Sequence, residues 1–135
     1  MPRVLAIDFG EKRIGLATCD ATGQVVAARR TLARRSDAEA ARQIADFCAE
    51  EEVEAIVLGL PRLPEGTDSP FAGRVRSFGE KLSREVALPI HYHEETLTSW
   101  EAQRAAPGLS KEEIDREAAA LLLSDYLAHA ARGSR

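Results

Sequence analysis

The chain has 135 residues, of which 44% are hydrophobic and 30% charged. That is the length and balance of a single globular domain spanning 1–135, with a core that needs no disulfide or structural metal. Its net charge of -4 argues mildly against a nucleic-acid partner, but the distribution of cations matters more than their sum. Arginines cluster at Arg29, Arg30, Arg34 and Arg35 and again at Arg74 and Arg76, and Lys12 and Arg13 sit together near the start. An excess of arginine over lysine suits phosphate contacts, and it suits a GC-rich genome as well. Cys19 and Cys48 lack the spacing of a zinc site or redox pair and read as buried thiols in a reducing compartment. No basic-then-apolar leader and no run of membrane-spanning length is seen, so a cytoplasmic protein with no membrane partner is expected.

In chain order, Val4-Leu5-Ala6-Ile7 is an apolar run of the kind buried on both faces of a sheet. It ends in Asp8-Phe9-Gly10, and a turn leads into a second run, Ile14 to Ala17. Thr22-Gly23 marks another turn, after which Gln24 to Leu32 reads as a third strand of an antiparallel meander. Ser36 and Glu39 form a capping box for a helix whose stripe is Ala40, Ile44, Phe47 and Cys48. Ala55 to Gly59 is a short buried strand, followed by a loop rich in proline and glycine from Leu60 to Pro70. A long loop directly after a buried strand is more often functional than not. Phe71 to Val86 reads as a second helix, Leu88 to His93 as a strand, and the segment from His93 to Arg104 as a short helical turn. Ser110 and Glu113 form a second capping box, opening a long final helix. Strand–helix–strand crossovers make parallel neighbours, so the expected product is an α/β fold. Its sheet is mixed and five-stranded, with the first three strands antiparallel and helices on both faces. Ligands of such sheets bind off the carboxyl ends of the parallel strands.

Carboxylates point at that crevice from separate elements. Asp8 ends the first strand, Glu94 and Glu95 end the last, and Asp115 shares the face of Ala118 and Ala119 on the final helix. Each acid alone has an ordinary explanation: Asp8 bracing its turn, Glu95 capping a helix, Asp115 pairing with an arginine. Together they would repel unless a cation joined them, and hard divalent ions take oxygen ligands. His91 and His93 are read as pointing to opposite faces, one packed and one solvated, with His93 a minor candidate for proton transfer beside Glu95. Trp100 and Phe71 could stack a base, but core packing is the stronger expectation. Tyr92 and Tyr126 are read as core.

The segments Asp8-Phe9-Gly10-Glu11-Lys12-Arg13-Ile14-Gly15-Leu16-Ala17, Gly59-Leu60-Pro61, Glu95-Thr96-Leu97-Thr98-Ser99 and Asp115-Arg116-Glu117-Ala118-Ala119 resemble the successive motifs of the YqgF family. This family, also called RuvX, has the ribonuclease H-like fold, and the match runs in order over nearly the whole chain. The resemblance implies a metal-dependent nuclease acting on RNA, branched DNA or both. The implied processes are 5′-end maturation of the small-subunit rRNA precursor and, by fold analogy, Holliday junction resolution. It implies Asp8, Glu95 and Asp115 as catalytic acids and metal ligands, with Mg²⁺ or Mn²⁺ as a two-ion centre. Lys12, Arg13, Gly59, Pro61, Arg62 and Thr98 would lie beside the substrate. A homodimer would suit a two-stranded junction. The chain departs from the family pattern where Glu94-Glu95-Thr96 replaces Asp-Glu-Arg, and in the proline loop at Leu63 and Glu65-Gly66. Two rivals are a non-catalytic module binding RNA or a ribosome-assembly partner, and a phosphate-transfer enzyme of the actin-like type. The latter needs a duplicated domain for which 135 residues leave no room.

Overall fold

A computed structural model describes residues 3–63, 65–96 and 108–133. Of the segment expected to turn helical between His93 and Arg104, residues 93–96 instead continue the last strand, because they stay paired with the strand beside them; the rest, with Thr98 and Trp100, lies outside the described residues. In chain order the elements are β1 (Val4–Phe9), β2 (Arg13–Cys19), β3 (Val26–Ala33), α1 (Asp37–Glu50), β4 (Ala55–Arg62), α2 (Ala72–Ser83), β5 (Ile90–Thr96) and α3 (Lys111–Gly133). They form one five-stranded sheet in the order β3-β2-β1-β4-β5. β1–β2 and β2–β3 are antiparallel, and β1–β4 and β4–β5 are parallel, as the lengths of the connections predict.

Element ends differ from the sequence reading where local hydrogen bonds intervene. The third strand starts at Val26, not Gln24, because the Asp20 carboxylate gathers the preceding turn. It accepts from the Thr22 hydroxyl (2.7 Å) and from the N–H groups of Gln24 (3.2 Å) and Val25 (3.3 Å). Those bonds, led by the one from Thr22, hold the Asp20 carboxyl below its usual range. The last strand starts at Ile90, where the ladder to β4 engages through the Ile56 N–H and the Pro89 carbonyl (2.9 Å). Ser36 caps α1 as expected, and at Ser110 the full capping box forms. Ser36 accepts from the Glu39 N–H (3.1 Å), and Ser110 and Glu113 bond reciprocally, Oγ to the Glu113 N–H (3.2 Å) and the Ser110 N–H to Oε1 (3.0 Å).

Period-two alternation sorts the strand side chains into two layers. Leu5, Ile7, Phe9, Ile14, Leu16, Ile56, Leu58 and Leu60 meet Ile44 and Phe47 of α1 and Val75, Phe78 and Leu82 of α2 in one cluster. Phe9 stacks on Phe78 (4.5 Å) and on Phe71 (5.8 Å), so Phe71 belongs to this core. On the other face Val4, Ala6, Cys19, Ala55 and Val57 meet Leu122, Leu123 and Leu127 of α3. Both cysteines are buried and neither is in a disulfide; Cys19 Sγ accepts from the Val4 N–H (3.3 Å), and burial pushes the Cys48 thiol up to about 11. Tyr92, expected in the core, is 37% exposed; its hydroxyl end lies against Gly79 of α2, and the Arg76 guanidinium lies over its ring. Among the described residues no helix is long and apolar enough to cross a membrane.

Candidate active site

On the α3 side, chemistry collects where the strands run out of apolar residues. Val4, Ala6 and Asp8 alternate toward α3, and Asp8 is buried at 6% exposure. Its partner across the β1–β2 ladder is Gly15. A Cβ on Gly15 would lie 2.0 Å from the carbonyl oxygen of Asp115 and 2.9 Å from the Arg116 nitrogen. The backbone of α3 therefore rests directly on β2 at this point, which only glycine permits. Ala118 and Ala119, both buried, continue the close approach one turn on. The Thr31 hydroxyl donates to the Glu112 carbonyl (2.6 Å) and ties the start of the helix to β3. The result places Asp115 over the residue that faces Asp8.

Glu95 reaches the same face from β5. Pro61 is its partner on β4, and Gly59 is the partner of His93. His91, His93 and Glu95 alternate with Ile90, Tyr92 and Glu94, so all three lie on the α3 side. This corrects the expectation that His91 and His93 point to opposite faces: residues two apart on a strand share a face. Both rings meet Tyr126 of α3, at centroid distances of 6.1 and 5.9 Å.

The three acids share a face without closing into a tight cluster. Among the described residues, the group of three potential ligands lying within 4.8 Å of one another is His93, Asp125 and His129. The Asp115 carboxylate is engaged by Arg13, whose Nε donates to Oδ2 at 2.6 Å. Arg13 thus acts on an acid of the site, in addition to the substrate role that the resemblance assigns it. Lys12 is exposed on the β1–β2 turn. That turn is closed by the Gly10 N–H donating to the Arg13 carbonyl (3.0 Å), with no room for a Cβ at Gly10.

The remaining predicted substrate residues divide. A Cβ on Gly59 would press Leu122 at 3.1 Å, so this glycine serves the packing of α3. Pro61 is buried, and its carbonyl accepts from the Ser69 hydroxyl (2.7 Å) and N–H (3.3 Å), folding the proline loop back on β4. Arg62 follows Leu58 and Leu60 by alternation and lies on the face away from the acids. There it pairs with Glu94 (2.9 Å), stands 3.2 Å from Asp68 and donates to the Gly66 carbonyl. Asp68 also binds Arg76, which holds the Asp68 carboxyl below its usual range. Thr98 lies outside the described residues.

Most of the clustered arginines are occupied within the fold. Arg34 donates to the carbonyls of Gly10 (3.2 Å) and Glu11 (2.8 Å), pairs with Asp37 (2.8 Å) and covers the Phe9 ring. Arg29 bonds Thr18 and Glu51, and both Arg29 and Arg30 lie over Phe47. Arg34 as the brace of the β1–β2 turn was missed in the sequence. Only its proximity to Ser36 and Asp37 hinted that it leaves the strand where a turn could be reached.

The chain matches the family model described as RuvX, Holliday junction resolvase, over residues 2–129. A relative from Thermosynechococcus vestitus, provisionally named a pre-16S rRNA nuclease, is 37% identical over 94% of this chain and 88% of its own length. One from Anaeromyxobacter sp. strain K, with the same name, is 37% identical over 93% and 96%. Among solved structures, Thermus thermophilus RuvC in complex with a Holliday junction substrate superposes with a TM-score of 0.57 at 13% identity, covering 98% of this chain and 97% of that one. That likeness shows the fold, which is ribonuclease H-like. The chain belongs to the RuvX family of Holliday junction resolvases and by that membership is a nuclease.

Proposed function

We propose that this chain hydrolyses phosphodiester bonds of structured RNA of the rRNA-precursor kind, with Asp8, Glu95 and Asp115 holding Mg²⁺ or Mn²⁺. The observation that carries the reading is the contact of Gly15 with the Asp115 backbone, 2.0 Å from where a Cβ would stand. It brings an acid of the last helix over the strand residue paired with Asp8. Asp8, Glu95 and Asp115 offer carboxylate oxygens, the set that suits a hard divalent ion. Such an ion supplies charge neutralisation at the scissile phosphate and an acidified water.

The residues present do the rest. Asp8 is fixed by a fully buried strand, so its position is preorganised. Arg13 holds Asp115 in one orientation and keeps two carboxylates from repelling before substrate arrives. Lys12, exposed beside it, offers a cation to a backbone phosphate. RNA is favoured over a DNA junction because the relatives carry a pre-16S rRNA name. A second reading, a scaffold that grips RNA without cutting it, draws on the Arg13–Asp115 pair, which gives Asp115 a structural occupation.

The test is cleavage of labelled precursor-like RNA, single-stranded DNA and a four-way junction, each with Mg²⁺, Mn²⁺ or EDTA, using wild type and Asp8→Asn. Metal-dependent cutting of RNA that disappears in Asp8→Asn is the expected result. Preferred cutting of the junction would move the substrate to DNA. Binding without cutting under either metal would establish the scaffold.

A further inference from the structure

The chain has three histidines, and the fold brings all of them to one place, outside the carboxylate site. His91 stacks on Tyr126, His93 meets the same ring edge-on, and His129 lies 5.1 Å from the His93 ring. His93 Nε2 is 2.6 Å from Asp125 Oδ2, and one ligand atom from each of His93, Asp125 and His129 lies within 4.8 Å of the others. We propose that these three residues form a second cation site, suited to Zn²⁺, that clips β5 to α3.

Three observations support a ligand set over a simple ion pair. First, Asp125 and His129 are four apart on α3 and so project from the same helix face, the spacing from which two side chains chelate one ion. An ion pair with His93 would need only one of them. Second, the backbone sets the tautomer of His129. Its Nδ1 lies 2.9 Å from the Asp125 carbonyl, which can only accept, and 3.6 Å from Asp125 Oδ1, so Nδ1 is the donor there and in the neutral ring the lone pair for a ligand is on Nε2. A ring N–H held by a backbone carbonyl is the usual support of a metal-binding imidazole. Third, the His93 side chain is only 12% exposed while Asp125 and His129 are 48% and 56% exposed. One ligand is anchored in the fold, and two stand on the open side where an ion enters.

The chemistry selects the ion. Two imidazoles and one carboxylate favour a borderline cation such as Zn²⁺ over Mg²⁺, which prefers oxygen. Bonds of about 2.0–2.2 Å in tetrahedral geometry set ligand atoms roughly 3.3–3.5 Å apart. Small side-chain rotations open the 2.6 Å contact and draw His129 in. The consequence follows from where the ligands sit. β5 carries Glu95 and α3 carries Asp115, and β5 is the edge strand farthest from the Gly15 contact. A cation joining His93 to α3 would fix the strand of one acid to the helix of another. This inference does not depend on whether the three acids themselves hold a metal.

The experiment is calorimetric titration of the full chain with Zn²⁺ and optical titration with Co²⁺, each paired with thermal unfolding. Wild type, Asp125→Asn, His129→Ala and Asp8→Asn would be compared. Expected is one Zn²⁺ bound at this site in wild type and retained in Asp8→Asn, with a thermal midpoint raised by roughly 5 °C at saturating ion. In Asp125→Asn and His129→Ala, binding should weaken at least tenfold and the midpoint rise should vanish. Both variants change exposed residues, so they should fold. No binding by wild type would overturn the site. So would binding that survives both of those variants, or binding that is lost in Asp8→Asn instead, which would place the ion on the acids.

Discussion

Toward α1 and α2, β1 presents Leu5, Ile7 and Phe9; toward α3, the same strand presents Val4, Ala6 and Asp8. β2 repeats the contrast, with Ile14 and Leu16 on the first side and Arg13 and Gly15 on the second. Large side chains keep α1 and α2 at ordinary packing distance and fill the gap with hydrocarbon, the larger part of the apolar burial. Small ones let α3 settle onto the backbone of β2, which sets Asp115 over Gly15, the residue paired with Asp8. One layer is therefore specialised for stability and the other for bringing polar groups together. Its polar residues lie where the strands end and apolar contact with α3 has given out.

Substitutions on the two faces should separate stability from activity. The largest loss of stability is expected from Phe78→Ala on the hydrocarbon face, where the ring is fully buried against Phe9. Truncating such a ring costs about 3–5 kcal/mol, so denaturant midpoints should fall steeply while cleavage per folded molecule stays near wild type. Gly15→Ala comes next. Overpacking typically costs about 1–3 kcal/mol, and here the clash is with helix backbone. The helix must lift, so activity at a temperature where the variant is fully folded should drop by roughly a hundredfold or more, as misplacement by about 1 Å does elsewhere. Equal activity losses per folded molecule in the two variants would erase the distinction between the faces.

Smaller effects sharpen it. Ser110→Ala removes the cap that starts α3 and should cost about 1 kcal/mol in thermal or denaturant unfolding. The Ser110 N–H, donating to Glu113, holds that carboxyl below its ordinary value. A depressed folded pKa adds stability above the unfolded value, about 4.3, and that stability is lost as pH falls through the folded one. Wild type should thus be more stable than Glu113→Gln at pH 7, with the difference disappearing in acid. The smallest effect concerns the thiols: with both cysteines buried and Cys48 raised to about 11, native protein at pH 8 should react with a thiol reagent only as fast as it unfolds.

The topology was legible because it is written in local signals. Two capping boxes, the run lengths and the long crossovers are read without knowing any partner, and the parallel or antiparallel sense of the pairings follows from them, though the order in which β4 and β5 join β1 does not. The positions of Asp8, Glu95 and Asp115 on separate elements were legible in the same way. Simple alternation on β5 puts His91 and His93 on one side, against the expectation of opposite faces, but the meeting of His93 with Asp125 and His129 depends on how α3 packs across β5. Other features needed the packed structure. Nothing in the sequence shows that Gly15 receives the backbone of a helix from the far end of the chain. Nor does it show that Arg34 turns back to the carbonyls of Gly10 and Glu11, or that Arg62 follows the hydrocarbon face. Arginine clusters look alike whether they hold phosphates or their own fold, and here most of them hold the fold.

Whether Asp8, Glu95 and Asp115 act as one unit on the α3 face is tested most directly by additivity. Metal-dependent RNA cleavage rates would be measured for Asp8→Asn, Glu95→Gln, Asp115→Asn and the triple variant, each shown to be folded by circular dichroism. Groups that share one centre give strongly non-additive losses, so each single variant is expected to lose nearly as much activity as the triple. Single losses that are small, or that multiply up to the loss of the triple, would mean independent residues with structural roles and would contradict the account.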